Sequence, residues 1–335
     1  MLGTTITQFV IEEQKNYPEA SGDLTSVIND VVTACKTISA AMRYGELSDD
    51  DLLGVAATEN TMGETQKKLD VLANDLFLRR TEFGGHVAAM VSEEMETVFQ
   101  APGQNNGRYL LLFDPVDGSS NIAENAAIGT IFSILKRPDA ATGEPQIEEF
   151  LQPGDQQVCA GYAIYGPSTM IVMTTGSGVN GFTLDPLIGE FVLSHPEIRI
   201  PKKSSRICVN LLALNQTWDP RVERHISDCI QGREGPRGRD FDLRWSAGAV
   251  ADVHRILVSG GIYFNTTNAV MKKKGIVGKL RLLYEVNPLS LLVEQASGMA
   301  TTGEIRALEV QPENLHQRCP VILGSHEEIN HLLGS

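Results

Sequence analysis

The chain has 335 residues, 42% of them apolar and 21% charged, with a formal net charge of −14. That length exceeds the usual size of one core and predicts one large or two closely packed domains, while the acidic balance argues against a general nucleic-acid binder, whose phosphate partner needs a positive face. No apolar run approaches the ~18–20 residues that span a bilayer, and the start MLGTTITQFVIEEQKNYPEA lacks the basic and apolar stretches of a signal peptide, so the chain is read as cytoplasmic with no membrane partner.

In chain order, Ser21-Gly22-Asp23 opens a run with Leu24, Val27, Ile28, Val31, Val32, Cys35 and Ile38 at helical spacing, with Ser21 or Asp23 as its cap. A second helix is expected over about Thr65–Leu78, with Leu69, Leu72 and Leu76 on one face. Val91–Glu94 reads as a strand end and Tyr109–Phe113 as a buried strand. After a Pro- and Gly-rich loop at Pro138–Gly154 come four strands, Val158–Tyr165, Thr169–Thr174, Gly181–Asp185 and Gly189–Leu193, whose short connections predict antiparallel pairing. A boundary near His195–Lys202 divides the chain into 1–197 and 198–335. Beyond it, Asp219-Pro220 supplies an N-cap and first helical residue for a helix toward Ile230, and a Gly- and Arg-rich loop spans Gly232–Asp240. Ala249–Leu257 is helical, Lys279–Glu285 is a strand ending in a carboxylate, and Asn287-Pro288 starts a helix that Gly298 ends.

The most informative stretch is Leu110-Leu111-Leu112-Phe113-Asp114-Pro115-Val116-Asp117-Gly118-Ser119-Ser120-Asn121. A buried strand that stops at a Pro-containing turn would aim Asp114 and Asp117 into one small volume. Gly118 permits close backbone approach, and the free N–H groups of Gly118–Asn121 form a nest for an anion. Carboxylates beside an anion nest call for a cation between them. Glu93-Glu94, Asp70 and Glu285 are the further acids at element ends, and hard oxygen ligands suit Mg²⁺ or Mn²⁺ with a substrate phosphate.

Simpler readings stand beside these. Glu-Glu pairs are usually solvated, Asp-Pro-x-Asp-Gly alone is often a turn, and Asp70 can pair with a neighbouring lysine. Lys279 and Arg281 alternate along the expected strand and share a face, either as a second phosphate site or as an ordinary surface charge pair. His254 sits among Val250, Val253 and Leu257 as a hydrogen-bonded structural residue. Ser119 and Ser120 have no histidine in a nucleophile motif, so they read as phosphate donors. The single cysteines Cys35, Cys159, Cys208, Cys229 and Cys319 form no CxxC pair, which argues against disulfides and structural zinc.

On these residues the chain resembles the class I fructose-1,6-bisphosphatases of bacterial type. The similarity runs through ENTMGETQKKLDVLANDLF (59–77), VSEEMETV (91–98), LLLFDPVDGSSN (110–121), GTIFSIL (129–135), YGPSTMIVMTTGSGVNGFTLDPLIGEF (165–191), VADVHRILVSGGIY (250–263), GKLRLLYEVNPLSLLVEQASGMATTG (278–303) and HQRCPVILGS (316–325). It implies an α/β (α+β) sugar-phosphatase fold, layered α-β-α-β-α with mixed and antiparallel sheets, with an N-terminal regulatory domain carrying part of the metal site and a C-terminal sugar-bisphosphate domain. It also implies Mg²⁺-dependent hydrolysis of the 1-phosphate of fructose 1,6-bisphosphate, in a homotetramer as the usual assembly, with about two or three ions per subunit and Mn²⁺ as a substitute.

Carried over by position, Glu93, Glu94, Asp114, the carbonyl of Val116, Asp117 and Glu285 would bind metal. Asp70 and Glu94 would help deprotonate the attacking water, with Glu64 nearby in sequence. Asp117, Gly118, Ser119 and Ser120 would meet the 1-phosphate, with Asn210 or Asn215, Lys279 and Arg281 around the sugar phosphate, and Arg244 would reach the 6-phosphate of a neighbouring subunit. An AMP site corresponds to Ser21, Gly22, Asp23, Leu24 and Thr25 with Arg108, Tyr109 and Lys136, of which Arg108 and Lys136 exchange the family's Lys and Arg. The pocket departs further: Trp245 follows Arg244, Asn265 replaces a tyrosine and Ala249 a methionine. Each lost phenol removes a phosphate donor worth ~1–3 kcal/mol, so sedoheptulose 1,7-bisphosphate stays open as a substrate. An inositol- or nucleotide-type monophosphatase and a phosphosugar sensor without turnover are the rivals.

Overall fold

The computed structural model describes residues 3–16, 20–44, 55–59, 65–100, 107–139, 141, 143–211 and 219–334. α1 (Ile6–Gln14) and α2 (Asp23–Tyr44) come first; β1 (Val55–Glu59) and β2 (Thr65–Lys67) pair antiparallel and lead into α3 (Lys68–Thr81). The second helix thus starts at Lys68 rather than Thr65, because Thr65–Lys67 pairs with β1. A seven-stranded sheet follows, from β3 (Val87–Ser92), β4 (Tyr109–Asp117), β5 (Ile128–Lys136), β6 (Gln157–Tyr165) and β7 (Thr169–Thr174) to β8 (Val179–Asp185) and β9 (Glu190–Ile198). Its spatial order is its sequence order; β3 and β4 are parallel and every later neighbour is antiparallel. The expected meander is present, with its last two strands longer than read.

The remaining elements are β10 (Arg206–Cys208), α4 (Pro220–Ile230), β11 (Asp242–Leu243), α5 (Ala249–Ser259), β12 (Ile262–Asn265), α6 (Ala269–Lys273), β13 (Leu280–Arg281), α7 (Asn287–Gln295), β14 (Met299–Thr301), β15 (Arg318–Cys319), β16 (Val321–Gly324) and α8 (His326–Leu333). Asp219 caps α4 by accepting from Arg221 N, as the Asp-Pro pair predicts. β11, β10, β12, β16 and β14 form a mixed five-stranded sheet in that order.

Side-chain alternation stacks these elements into five layers. On the first sheet, Leu111 and Phe113 of β4 and Phe132 and Ile134 of β5 pack with Val27, Val31 and Ile38 of α2 and Phe77 of α3. Ile131 and Tyr162 face the other way, onto Val250 and Val253 of α5 and Leu289 and Val293 of α7. Those two helices also receive Tyr263 and Leu323 of the second sheet, whose opposite face sends Ile262, Phe264 and Ile322 against Val222 and Ile226 of α4 and Ile329 of α8. The order is helix, sheet, helix, sheet, helix, as expected of the α/β fold. Fully burying each large apolar side chain contributes about 1.5–3 kcal/mol. No helix among the described residues is long and apolar enough to cross a membrane, and all five cysteines are buried without forming a disulfide.

Two expectations change near the acids of the site. β4 does not stop before Asp114; it continues through Pro115 and Val116 to Asp117, with Asp114 opposite Ile131 and Asp117 opposite Gly129. One residue of β5 thus faces two of β4, a bulge that accommodates a proline without breaking the sheet. Lys279–Glu285 is not a strand: only Leu280 and Arg281 pair, with β15, and Leu282–Val286 forms a π-helical turn running into α7.

Candidate metal and phosphate site

Three segments meet where the bulge of β4, the end of β3 and the π turn come together. Leu110 and Leu112 of β4 pack against Leu283 and Tyr284 of the turn, and period-two alternation puts Asp114 on that same face. β3 runs parallel to β4 with Ser92 beside Phe113, so Glu93 emerges next to Asp114, its N–H donating to Phe113 O at 3.1 Å. The wide π turn, a feature frequent at functional sites, places Glu285 so that it accepts from Arg281 N at 2.6 Å. Carboxylate oxygens of Glu93, Asp114 and Glu285 lie within 4.8 Å of one another, a set able to hold a metal ion.

All three are nearly inaccessible, and the electrostatics follow. Burial pushes the Glu93 carboxyl up to about 7, against the Arg281 guanidinium that pairs with it. Burial, then repulsion by Glu93 and Glu285, raises Asp114 well above the carboxylate range; burial, then Glu93 and Asp117, does the same to Glu285. Like charges this close in a low-dielectric site cannot all ionise without compensation. Oxygen donors of this kind match a hard divalent cation, so the residues present fit one.

Asp117 belongs to the same volume but faces another partner. Its carboxylate accepts from Ala249 N at 3.1 Å and Val250 N at 2.7 Å, capping α5. Burial raises its pKa to about 6, and those two bonds hold it from rising further. α5 comes this close because Gly129 has no side chain; a Cβ there would lie 2.6 Å from the Val250 side chain. Gly118 adopts the left-handed φ of 78° and leads into the 3₁₀ turn Ser119–Glu124. Asn121 then ties this turn to the segment before α5 by donating to Ser246 O at 2.8 Å.

Of the other sequence-stated positions, Glu94 follows Glu93 and donates its N–H to Ser92 Oγ at 3.2 Å, and Asp70 is buried in the first turn of α3. Glu64 and Asn215 lie outside the described residues. A cavity of about 320 Å³ beside Asp117 is lined by Asn210, Trp245, Tyr263, Asn265 and Lys279. Trp245 stacks on Tyr263, with ring centroids 6.4 Å apart, and Asn265 donates to the Tyr263 hydroxyl at 3.1 Å. Lys279 and Arg281 do not share a face. Lys279 is exposed at this cavity, whereas Arg281 is 4% exposed and pairs with Glu93, because the strand meant to align them is two residues long. Arg244 is exposed beside Asp242, 3.4 Å away, at the edge of the second sheet. His254 accepts from or donates to Tyr162 OH at 2.8 Å inside the core, the structural role its spacing indicates.

The residues around the proposed effector loop gather elsewhere. Ser21, Gly22, Leu24, Thr25 and Tyr109 line a separate cavity of about 290 Å³. Arg108 donates to Ser21 Oγ at 3.3 Å and lies 3.7 Å from Asp23, while Lys136 is not among its lining residues and pairs with Asp139 at 3.0 Å. Sequence reasoning missed the polar groups around the acids, Thr130, Ser246 and Asp252; Asn121 was read as part of the anion nest, but its side-chain bond to Ser246 O was not.

The chain matches the family description Fructose-1-6-bisphosphatase, N-terminal domain over residues 4–196 and Fructose-1-6-bisphosphatase, C-terminal domain over 200–334. It is 51% identical to Fructose-1,6-bisphosphatase class 1 3 of Methylibium petroleiphilum, over 97% of this chain and 90% of that one. With Fructose-1,6-bisphosphatase class 1 of Halorhodospira halophila it shares 47% identity over 99% of this chain and 97% of the relative. The crystal structure of Leishmania major fructose-1,6-bisphosphatase in holo form superposes with a TM-score of 0.90 at 37% identity, covering 100% of this chain and 99% of that one. With both halves matched in order and near-complete coverage of its relatives, the chain belongs to the fructose-1,6-bisphosphatase family, class 1.

Proposed function

We propose that this protein hydrolyses the 1-phosphate of fructose 1,6-bisphosphate, giving fructose 6-phosphate and phosphate, with Mg²⁺ held by Glu93, Glu94, Asp114, the Val116 carbonyl, Asp117 and Glu285. The observation that carries this is the buried convergence of Glu93, Asp114 and Glu285 beside a cavity bearing Lys279. When bound, divalent ions, about two or three per subunit, polarise the phosphoryl group, lower the pKa of the attacking water and neutralise the leaving oxygen. The amides of Gly118, Ser119 and Ser120 receive the 1-phosphate oxygens. Asp70 and Glu94 accept the proton of the attacking water, with Glu64 assisting. Asp117 keeps its carboxylate fixed through the α5 amides, so nothing reorganises as charge builds.

Lys279 and Asn210 hold the sugar phosphate, and Arg244, exposed at a sheet edge, serves the 6-phosphate of a neighbouring subunit in a homotetramer. Arg281 acts on Glu93 instead of on a second phosphate. Asn265 and Trp245 leave the far end of the cavity with few phenolic donors to fix a second phosphate, so sedoheptulose 1,7-bisphosphate stands as the alternative bisphosphate substrate. AMP is the effector, seated in the 290 Å³ cavity with its phosphate at the start of α2. The test is phosphate release from both bisphosphates and from inositol 1-phosphate, with and without Mg²⁺ and AMP. Release from the bisphosphates alone, dependent on Mg²⁺, supports the reading; preference for inositol 1-phosphate makes the protein a monophosphatase, and binding without release makes it a sensor. A flat AMP dose response removes the effector.

A further inference from the structure

The bulge between Asp114 and Asp117 has its own buried support. Pro115 brings no N–H to the ladder, and a bulge leaves strand groups without their regular partners. Thr130, the β5 residue facing the bulge, donates its hydroxyl to Pro115 O at 2.7 Å. That bond uses the only hydroxyl proton of Thr130, so its 2.9 Å contact with the Tyr165 hydroxyl is one in which Tyr165 donates. Tyr165 is itself held in the same buried core cluster as Cys35 of α2. Thr130 is fully buried and Tyr165 is 5% exposed, so water cannot replace either hydroxyl. On the other side of the bulge, Val116 N donates to Asp114 Oδ1 at 3.0 Å.

We propose that Thr130, oriented by Tyr165, is a positioning residue whose hydroxyl fixes the Pro115 carbonyl and, through it, the bulge that presents Asp114, the Val116 carbonyl and Asp117 to a divalent cation. The inference rests on reading the acid cluster as a cation site. Two consecutive residues, Pro115 and Val116, set the separation of both aspartates, and each is held by one side-chain bond. Thr130 touches neither metal nor substrate; it acts through the backbone. Groups that orient ligands in this way typically govern cation affinity by about 10- to 100-fold.

The test is calorimetric titration of Mn²⁺ into metal-free full-length protein, comparing wild type with Thr130→Val, Thr130→Ser and Tyr165→Phe. Thr130→Val should bind about 10-fold or more weaker. Thr130→Ser, which keeps the hydroxyl, should stay within about 3-fold of wild type, and Tyr165→Phe should fall between. The Mn²⁺ concentration giving half-maximal phosphate release should shift in the same order, with kcat at saturating Mn²⁺ changing less. A folded Thr130→Val protein with wild-type Mn²⁺ affinity overturns the inference, since a purely structural hydroxyl would lower the melting temperature alone. If Thr130→Val does not fold, wild-type affinity in Tyr165→Phe overturns it instead. Wild type that binds no Mn²⁺ removes the cation-site reading itself, which separates that failure from an unchanged variant.

Discussion

Glu93, Asp114, Asp117 and Glu285 are carboxylates held almost out of water, and Arg281 is the buried cation that pairs with one of them. Desolvation raises each of the four carboxylates, with repulsion from neighbouring carboxylates adding to it, from within the cluster at Glu93, Asp114 and Glu285 and from Asp252 at Asp117, so their arrangement opposes folding until a cation arrives. Glu285→Gln removes one of the repelling charges and keeps the oxygen that accepts from Arg281 N. It should therefore raise the melting temperature in the presence of EDTA, measured calorimetrically, and lower Mg²⁺-dependent turnover by at least about 10–100-fold. Asp117→Ala removes both the cap of α5 and a proposed ligand; it should abolish nearly all turnover while far-UV circular dichroism stays native, and activity retained throughout a Mg²⁺ titration would refute its role. The acids were legible because each lies in a recognisable stretch of sequence, although Asp114 sits inside β4 rather than at its end. Arg281 was misread because sequence gives Lys279, Leu280 and Arg281 the alternation of a strand, while the backbone leaves it after Arg281 for the π turn. Thr130 and Tyr165 were silent: a strand threonine and a strand tyrosine look like ordinary packing residues until the register shows what they face.

The elements that hold these residues are stabilised by apolar faces whose periodicity could be read in advance. Phe113 and Phe77 stack at 4.6 Å between β4 and α3, one residue before Asp114. Phe113→Ala should cost about 3–5 kcal/mol, visible as a lower denaturant midpoint, and a loss under 1 kcal/mol would mean the β4–α3 contact is loose. α5 is held near its middle by His254, which burial keeps down to about 4, with the neighbouring His195 and Arg255 charges adding to the effect. Its folded pKa lies below the unfolded value near 6.5, so the unfolded chain takes up the proton first. The stability it lends is complete above about pH 6.5 and is lost as pH falls toward about 4. Chemical denaturation across that window should show the decline, and His254→Gln should flatten it. The four-strand meander and the α4 cap followed directly from Gly, Pro and Asp positions. The extension of β4 through Pro115 did not, since a proline normally argues against an interior strand position and only the bulge accommodates it.

At the scale of the molecule, the acid cluster joins the two halves of the chain: Asp114 and Asp117 come from β4 of the seven-stranded sheet, Glu93 directly follows β3, and Glu285 lies in the turn leading into α7. Residues from positions 93 and 285 meet only in the folded chain, so binding of a divalent cation couples to the docking of both halves. Added Mg²⁺ should raise the melting temperature in a concentration-dependent way, and Ca²⁺-free EDTA buffer should reverse it; a melting temperature indifferent to Mg²⁺ would contradict that coupling. A net charge of −14 makes local cations the means by which an anionic substrate approaches. The most direct test of the account is phosphate release from fructose 1,6-bisphosphate by the purified protein, with Mg²⁺ and with excess EDTA. The account predicts steady release in Mg²⁺ that stops in EDTA and returns when Mg²⁺ is restored; equal release in both, or none in either, would contradict it.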